Sequence, residues 1–290
     1  MGVLNMKYAV TGATGKFGRN VISHLINWLK QDDIIALARD TKKAANVLPQ
    51  GIEIRKADYT DEKSLEKAFK GIDRLLFISS VPNDNYARAK QHLNVVDAAK
   101  KTGIKFIAYT SFPHADQAKS LLSADHRATE QAIDESGIKH SFLRNNWYLE
   151  NELNLINASL AGNPFVYSAQ TGHVGWALER EYAEAAARVL INKNPQKVYE
   201  FAGKSLTFAD LAEALTEISS KKFKVDSITD EEYEKFLAKQ GIPLNVADMI
   251  VMIQTLIRNN ELAEETNDLE EVLGHNLVPL KDAIQELIRE

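Results

Sequence analysis

The chain has 290 residues, of which 44% are apolar and 26% charged, as in a globular protein with a sizeable core. It contains no cysteine, which excludes disulfide bonds, a cysteine nucleophile and thiolate metal sites. The net charge of −5 argues against a dedicated nucleic-acid surface. No apolar run approaches the roughly 20 residues of a membrane span, and the N-terminus lacks a signal-peptide pattern. We therefore expect a cytoplasmic protein.

The first 145 residues alternate between strand-like and helix-like segments. The predicted strands are Lys7–Thr11, Ile34–Ala38, Ile52–Arg55, Arg74–Ile78, Lys105–Thr110 and His140–Leu143. The predicted helices are Lys16–Leu29, a polar helix from Asp40, Glu62–Lys70, Tyr86–Lys101 and Ala124–Glu135. This alternation predicts the α/β class, as a Rossmann-type doubly wound parallel sheet.

After Asn145 the pattern becomes largely helical. The predicted helices are Tyr182–Ile191, Phe208–Ser219, Asp230–Gln240, Ala247–Ile257 and Lys281–Arg289, with one strand at Val198–Phe201. We predict a dinucleotide-binding domain at residues 6–150, to which segments near 180–203 return, and a smaller, mostly helical substrate lobe at 151–290. Residues 226–290 hold 15 acidic and five basic residues, which indicates a solvated helical surface or a surface for a protein partner.

A glycine loop follows the first predicted strand and opens the first helix. The first glycine permits a tight turn, the second lets the backbone approach a pyrophosphate, and the third allows close helix–strand packing. The helix N-terminus then favours the negative charge of the pyrophosphate. We predict dinucleotide binding by Gly12, Ala13, Thr14, Gly15, Lys16, Phe17 and Gly18.

Residues after the second and third strands indicate which dinucleotide binds. Arg39 stands where an acid would accept from the ribose 2′-hydroxyl of NAD, and with Lys43 it can bind a 2′-phosphate. Asp40 is placed either near the ribose or as the N-cap of the next helix. Asp58 can accept from the adenine amino group or cap the helix near Asp61. The sequence therefore predicts NADP rather than NAD.

The proton donor of many short-chain reductases, Tyr-x-x-x-Lys on the helix after the fifth strand, is missing at that position. Two pairs match the spacing but come before the fifth strand, Tyr59 with Lys63 and Tyr86 with Lys90. The expected helix instead carries His126 and Glu130, one turn apart and placed to pair. Reduction of a quinone needs little acid assistance because its product is a weakly basic phenolate. The site therefore suits a quinone better than a ketone, and it also suits a protein that only senses the cofactor.

Polar and aromatic residues end the sixth predicted strand, in the segment Arg144–Tyr148. Asn145 and Asn146 can orient a carboxamide, and Trp147 or Tyr148 can stack on a flat ring or seal the lobe against the sheet. After the fifth strand, Phe112 offers another pocket wall, whereas His114 is interpreted as a polar loop residue. The histidines show no metal-ligand spacing, so we expect no metal.

Several segments together resemble the NmrA-like group of atypical short-chain dehydrogenases, and within it the bacterial type 2 NAD(P)H:quinone oxidoreductases. They are Thr11–Gly15, the strand end at Arg39, Ala57–Tyr59, Phe106–Ser111, Leu143–Tyr148, Tyr182–Ala187 and Leu273–His275. The resemblance implies NADPH-dependent quinone reduction without flavin. It places Gly12 to Phe17 on the pyrophosphate and Arg39 on the 2′-phosphate. It also places Ser79, Ser80 and Val81 along the middle of the cofactor, and Arg144 to Leu149 around the nicotinamide and the substrate pocket.

Two other functions remain open at this point. The NmrA-like group also contains redox sensors that bind NADP and engage a protein partner, for which the acidic C-terminal stretch is a candidate surface. A reductase of another electron-poor acceptor, such as an enone or a benzylic ether, is the third possibility. A homodimer is likewise compatible with the sequence.

Overall fold

A computed structural model describes residues 6–81, 87–118, 120–219 and 221–289, with the backbone alone at Leu121. The chain divides into two compact units. The first, which we call the sheet unit, comprises Met1–Asn145, Arg180–Glu200 and Glu271–Gly274. The second, the C-terminal unit, comprises Asn146–Glu179, Phe201–Glu270 and His275–Glu290.

The strands are short in both units. They are β1 (Tyr8–Val10), β2 (Ile34–Ala38), β3 (Glu53–Lys56), β4 (Arg74–Phe77), β5 (Phe106–Ser111), β6 (Lys139–Asn145), β7 (Phe165–Tyr167), β8 (His173–Gly175), β9 (Val198–Phe201), β10 (Ser205–Thr207) and β11 (Val225–Ser227).

The α-helices of the described residues alternate with the first six strands and then dominate. They are α1 (Lys16–Trp28), α2 (Thr41–Val47), α3 (Glu62–Ala68), α4 (Arg88–Thr102), α5 (Leu121–Ser136), α6 (Leu153–Leu160), α7 (Glu179–Ile191), α8 (Phe208–Ser219), α9 (Asp230–Lys239), α10 (Leu244–Arg258), α11 (Asp268–Leu273) and α12 (Leu280–Leu287). None of the helices in these ranges is long and apolar enough to cross a membrane.

The sheet unit contains a seven-stranded sheet in the order β3-β2-β1-β4-β5-β6-β9. The pairs from β3 through β6 are parallel. This order is that of a doubly wound dinucleotide-binding sheet, so the predicted fold class is confirmed. The order reverses between β1 and β4, and open α/β sheets bind ligands at the carboxyl ends of the strands beside such a switch point.

The strands one position out from β1 and β4 are buried because helices cover the faces of the sheet. All five residues of β2 and all six of β5 are buried, which fits the continuous apolar sequence of β2. One face packs an aromatic cluster formed by Phe69, Phe77, Tyr109 and Phe142. Helix α4 ends at Gly103, whose φ of 77° is the left-handed conformation that glycine adopts easily.

The C-terminal unit is mostly helical, but it also contains two small two-stranded sheets, β10-β8 and β11-β7. These four strands were not predicted, because a run of three residues is too short for a period-two pattern. An apolar cluster includes Val166 of β7, Tyr233 and Leu237 of α9, and Ala247 of α10. A short 3₁₀ helix, Leu149–Glu152, precedes α6 in this unit.

Candidate functional site

The glycine loop joins β1 to α1 at the switch point of the sheet. Gly12 has a φ of 59°, the left-handed conformation that its predicted role in a tight turn requires. Thr11 fixes the start of the loop, since its Oγ1 donates to the Leu76 carbonyl at 3.2 Å and accepts from the Ile78 N–H at 2.9 Å. The Ala13 N–H donates to the Leu37 carbonyl at 3.3 Å. The loop is therefore tied to the strands on both sides of β1.

The third glycine is required by a close backbone approach. A Cβ atom on Gly18 would lie 2.5 Å from the Gly12 carbonyl oxygen and 2.9 Å from the Ala13 Cα. The N-cap of α1 is Gly15, which has no side chain to cap the helix, and it is exposed together with Gly12. This cradle leaves room for an anion at the start of α1, where the helix dipole favours negative charge.

The end of β2 carries one exposed cation and one capping acid. Arg39 is exposed and forms no ion pair with any residue in the described part of the chain. Asp40 is the N-cap of α2, since its side chain accepts from the Lys43 N–H at 2.9 Å. Of the two roles open to Asp40, the structure therefore shows capping. The predicted contacts of Arg39 and of the Lys43 side chain with a 2′-phosphate remain predictions.

Asp58 lies in the turn after β3. Its Oδ1 accepts from the Thr60 N–H at 2.9 Å and from the Thr60 hydroxyl at 2.8 Å. The N-cap of α3 is Asp61, whose side chain accepts from the Ser64 N–H at 3.1 Å. The alternative in which Asp58 caps this helix is therefore wrong, because Asp58 stabilises the preceding turn instead. Its predicted contact with adenine remains a prediction.

The segment after β4 is held by hydrogen bonds from three directions. The Ser79 N–H donates to Thr110 Oγ1 at 2.9 Å, and the Ser80 N–H donates to His92 Nε2 at 3.0 Å. The Arg88 Nε donates to the Ser80 carbonyl at 2.6 Å. Val81 is 81% exposed. These contacts fix the backbone at the carboxyl end of β4.

Behind this segment, two buried histidines are held in their neutral form. Because His92 Nε2 accepts from Ser80, the ring proton is on Nδ1, which donates to Thr129 Oγ1 at 2.8 Å. Burial and nearby Arg88 lower the pKa of His92 to about 3. The same causes, with His92 itself, hold the pKa of His126 well below its usual range.

The tyrosines of this region serve the core. Tyr109 OH lies 2.9 Å from His126 Nδ1, and Tyr59 OH donates to the Ile78 carbonyl at 2.7 Å. Desolvation raises the pKa of both phenols. Tyr59, the tyrosine of the first Tyr-x-x-x-Lys pair, therefore makes a structural contact. Tyr86, the tyrosine of the second pair, lies outside the described residues.

At the end of β6, Arg144 is surrounded by carboxylates. Its Nε and Nη2 donate to the two oxygens of Glu130 at 3.0 and 2.7 Å. Its Nη1 lies 2.8 Å from Glu200 Oε1 and 2.6 Å from Asp116 Oδ1. Burial alone would lower the pKa of Arg144, but the bonds from Glu130 and Glu200 outweigh it and raise the pKa.

This cluster corrects the prediction that His126 and Glu130 pair. Glu130 is bound by Arg144, and its Oε1 also accepts from the Ser111 hydroxyl at 2.6 Å. His126 faces Tyr109 instead. The helical spacing allows His126 and Glu130 to pair. The buried Arg144 guanidinium binds the Glu130 carboxylate more strongly, because its hydrogen bonds are charge-assisted. His114 donates its backbone N–H to Glu200 at 3.2 Å, in keeping with a loop residue.

The remaining predicted residues, at the ends of β5 and β6, are divided between the units. Phe112 and Asn145 are buried in the sheet unit. Asn146 belongs to the C-terminal unit, where its Nδ2 donates to the Leu262 carbonyl at 3.1 Å and its Oδ1 accepts from the Trp147 N–H at 2.8 Å. Tyr148 pairs its backbone with Ala177.

A cavity of about 260 Å³ lies within the C-terminal unit, and Trp147 forms part of its wall. The cavity also contains Glu152, an acid that the sequence analysis missed. Its Oε1 accepts from the indole N–H groups of Trp147 at 3.0 Å and Trp176 at 3.4 Å. Desolvation raises the pKa of Glu152 to about 7, although the two indole bonds oppose that rise.

The chain matches known proteins over nearly its whole length. The NmrA-like family model matches residues 5–287. Quinone oxidoreductase 2 from Escherichia coli (strain K12) is 38% identical over 281 residues, which are 96% of this chain and 98% of that protein.

Two solved structures extend this likeness to the fold. The structure of Citrobacter sp. triphenylmethane reductase complexed with NADP(H) has a TM-score of 0.91 at 36% identity, covering 97% of this chain and 100% of that chain. The structure of the NADPH-dependent quinone oxidoreductase from Escherichia coli complexed with NADPH also has a TM-score of 0.91, at 37% identity, covering 97% and 99%.

Proposed function

This chain belongs to the NmrA-like family, and on that premise we propose that it is an NADPH-dependent reductase that passes hydride directly to a quinone, without flavin or metal. The observation that carries the proposal is the glycine cradle at the switch point with the exposed Arg39 beside it. Relatives at 36–38% identity are named quinone oxidoreductase and triphenylmethane reductase, so the chain is an oxidoreductase. Two of the solved relatives contain NADP(H) or NADPH, and NADP(H) is the cofactor of this chain.

The described residues fit this cofactor. Gly18 allows the close approach of the Gly12 carbonyl that shapes the loop, and the exposed Gly12 and Gly15 let a pyrophosphate reach the start of α1. Arg39 and Lys43 would hold the 2′-phosphate, because a guanidinium matches a phosphate with two parallel hydrogen bonds. NADPH supplies a hydride from its nicotinamide when bound.

The residues along the middle of the cofactor would act through a fixed backbone. Ser79 and Ser80 are held by Thr110 and His92, so the segment is positioned before the ligand arrives. Val81, with its exposed side chain, would lie against the cofactor. Such preorganisation favours hydride transfer by proximity and orientation.

The chemistry of the described residues favours an acceptor that needs little protonation. His92 and His126 are neutral at pH 7 because their pKa values are lowered by burial. Neither ring therefore carries the proton that an imidazolium donor needs. A quinone accepts hydride to give a stabilised phenolate, so it is the acceptor class that this site supports best.

The remaining predicted residues would each act from their own unit. In the sheet unit, Phe112 would offer an aromatic surface and Asn145 would orient the carboxamide. In the C-terminal unit, Trp147 and Tyr148 would offer aromatic surfaces. The side-chain groups of Asn146 already bond backbone atoms, so its contribution to binding would come from the backbone that it fixes. Arg144 bonds carboxylates with three of its nitrogen positions, so we assign it to positioning the end of β6.

The first experiment follows NADPH oxidation at 340 nm with purified protein and a panel of benzoquinones and naphthoquinones, with NADH in parallel. The expected result is saturable turnover that is faster with NADPH. Tight NADPH binding without turnover of any quinone would overturn the reductase and favour an NADP(H) sensor with a protein partner.

Arg39→Ala tests the cofactor site. We expect NADPH binding to weaken by about 1.5–3 kcal/mol, the range for a charge-assisted hydrogen bond, while NADH binding stays unchanged. Lys30→Ala is the matched control, since it removes one exposed cation before the opposite end of β2. Equal loss in both variants, or unchanged NADPH affinity in Arg39→Ala, would remove Arg39 from the site.

A further inference from the structure

The cavity of the C-terminal unit is enclosed mainly by apolar side chains. Its walls come from the segment Trp147–Ala158, from α9 and from α10. Three aromatic residues contribute: Trp147, Tyr233 and Phe236. The volume of about 260 Å³ exceeds that of the packing defects usual in a protein core and is enough for a small organic molecule.

Glu152 is the acidic group of this cavity, and it is only partly satisfied. Glu152 is 8% exposed. The indole N–H groups of Trp147 and Trp176 both donate to the same carboxylate oxygen, Oε1. Within the described ranges, no hydrogen bond reaches Oε2. The polar lining residues other than Glu152 and Tyr233 are amides, and no lysine, arginine or histidine among the residues that the structure describes lines the cavity. A buried carboxylate without a cation is costly, and this cost is what a bound cation would remove.

The charged groups near Glu152 do not supply that cation. Helix α6, which follows Glu152, contains no titratable residue. Helix α12 packs against the 3₁₀ helix and contains Lys281, whose ammonium group pairs with Glu217. Glu150 accepts from the Glu179 N–H at 2.9 Å. The nearby titratable group is Tyr233, whose pKa is raised by burial and by the charge of Glu152.

We propose that this cavity binds a small organic ammonium ion, with the cation against Glu152 Oε2 and the apolar body between Trp147 and the side chains of α9. The carboxylate supplies a charge-assisted hydrogen bond, and the aromatic faces attract the cation further. The apolar walls favour a ring or a short alkyl chain. The site rests on residues of the C-terminal unit alone. It shares Trp147 with the residues proposed for the acceptor, but its test does not use turnover.

The test uses three probes with the same ring: 2-naphthylmethylammonium, 2-naphthylmethanol and 2-naphthoate. Binding to the full-length protein is measured by calorimetry at pH 8 without NADPH, so its outcome is separate from that of the turnover assay. The expected result is that the ammonium ion binds at least about tenfold more tightly than the alcohol, as one charge-assisted hydrogen bond implies. The carboxylate probe should bind least.

The pH dependence of binding is a second readout in the unmodified protein. Because the pKa of Glu152 is about 7, the carboxylate is mostly ionised at pH 8 and mostly protonated at pH 6. The affinity for the ammonium ion should fall by about tenfold over this range, while that for the alcohol stays constant. Equal affinities for ammonium and alcohol, or no binding at millimolar concentration, would overturn the proposal.

Glu152→Gln keeps the shape of the side chain and removes its charge. In this variant the preference for the ammonium ion should disappear, while circular dichroism remains that of the parent. Glu231→Gln is the matched control, since it removes an exposed acid from α9, the helix that also contains Tyr233. Undiminished ammonium binding in Glu152→Gln would contradict the site.

Discussion

The two units bury polar groups in opposite ways. In the sheet unit, Arg144 is surrounded by carboxylates, and His92 has hydrogen-bond partners at both ring nitrogens. In the C-terminal unit, Glu152 has both of its hydrogen bonds on one oxygen and borders a cavity. A fully bonded network rigidifies its surroundings, whereas a half-satisfied group keeps the capacity to bind. On the two proposals, the sheet unit would position a ligand with its backbone, and the C-terminal unit would bind one with a side chain.

The difference also gives the units opposite responses to pH. The sheet unit buries bases in their neutral form, so its stability falls as pH decreases, because these bases gain a proton more readily in the unfolded state. The C-terminal unit buries an acid whose pKa is raised, so its stability falls as pH increases, because this acid ionises more readily in the unfolded state. Hydrogen exchange followed by mass spectrometry measures the stability of each unit separately.

The largest effect is expected for Arg144→Ala. This change leaves Glu130 and Glu200 without their cation in a buried position, which should destabilise the sheet unit by about 3–5 kcal/mol. Arg258→Ala is the control in the other unit. Arg258 also holds a carboxylate with two bonds, to Asp230 at 2.6 and 2.7 Å, but its side chain is 25% exposed. We expect Arg258→Ala to destabilise the C-terminal unit by about 1 kcal/mol. Equal losses of stability in the two variants would contradict the difference between the units.

Glu152→Gln should stabilise the C-terminal unit at high pH. The pKa of Glu152 is about 7 in the folded protein against 4.5 for an unperturbed glutamate. Between these values the folded state binds more protons than the unfolded state, so stability falls as pH rises and then levels off above pH 7. The variant lacks this loss, so it should gain about 3 kcal/mol at pH 8 and almost nothing at pH 4. A gain that does not depend on pH would mean that the charge is not the cause.

His92→Gln should remove the opposite dependence from the sheet unit. With a pKa of about 3 in the folded state and 6.5 unperturbed, His92 favours folding above pH 6.5. This contribution is lost as pH falls towards 3, and it should be smaller by about 2 kcal/mol at pH 5 than at pH 7. Exchange rates in α4 and α5 at the two pH values measure the loss. His275→Gln, an exposed histidine of the C-terminal unit, should leave the profile unchanged.

The sequence predicted those features whose cause is local. Strands β1 to β6 could be predicted because short strand-like runs alternate with amphipathic helical segments, several of which begin at a capping residue. The glycine loop is readable because a φ of 59° at Gly12 and the 2.5 Å approach at Gly18 demand that residue type. For Asp40 the sequence left two roles open, near the ribose or as an N-cap, and the structure shows the N-cap, which needs only its own helix.

The features that were missed depend on residues far apart in the chain. Glu152 lies in the stretch Leu149–Glu152, which contains two acids and no pattern that indicates burial of either. Its burial comes from Trp176 and from Tyr233, which follow about 25 and 80 residues later. The choice of Glu130 as the partner of Arg144, rather than of His126, likewise depends on the pairing of β5 with β6. Periodicity within one segment contains no information on such contacts.

The position of β9 bears on how the molecule can be made or cut. This strand lies beside β6, and the Phe142 N–H donates to the Lys197 carbonyl at 2.8 Å, although more than 50 residues separate the two strands. On the ribosome, β6 stays an open edge until residue 201 has emerged. A fragment that stops at Asn145 would keep this edge permanently, with five consecutive buried residues beside unpaired backbone groups. The sheet unit is therefore not one continuous stretch of sequence, and a fragment that ends at Asn145 exposes the β6 edge.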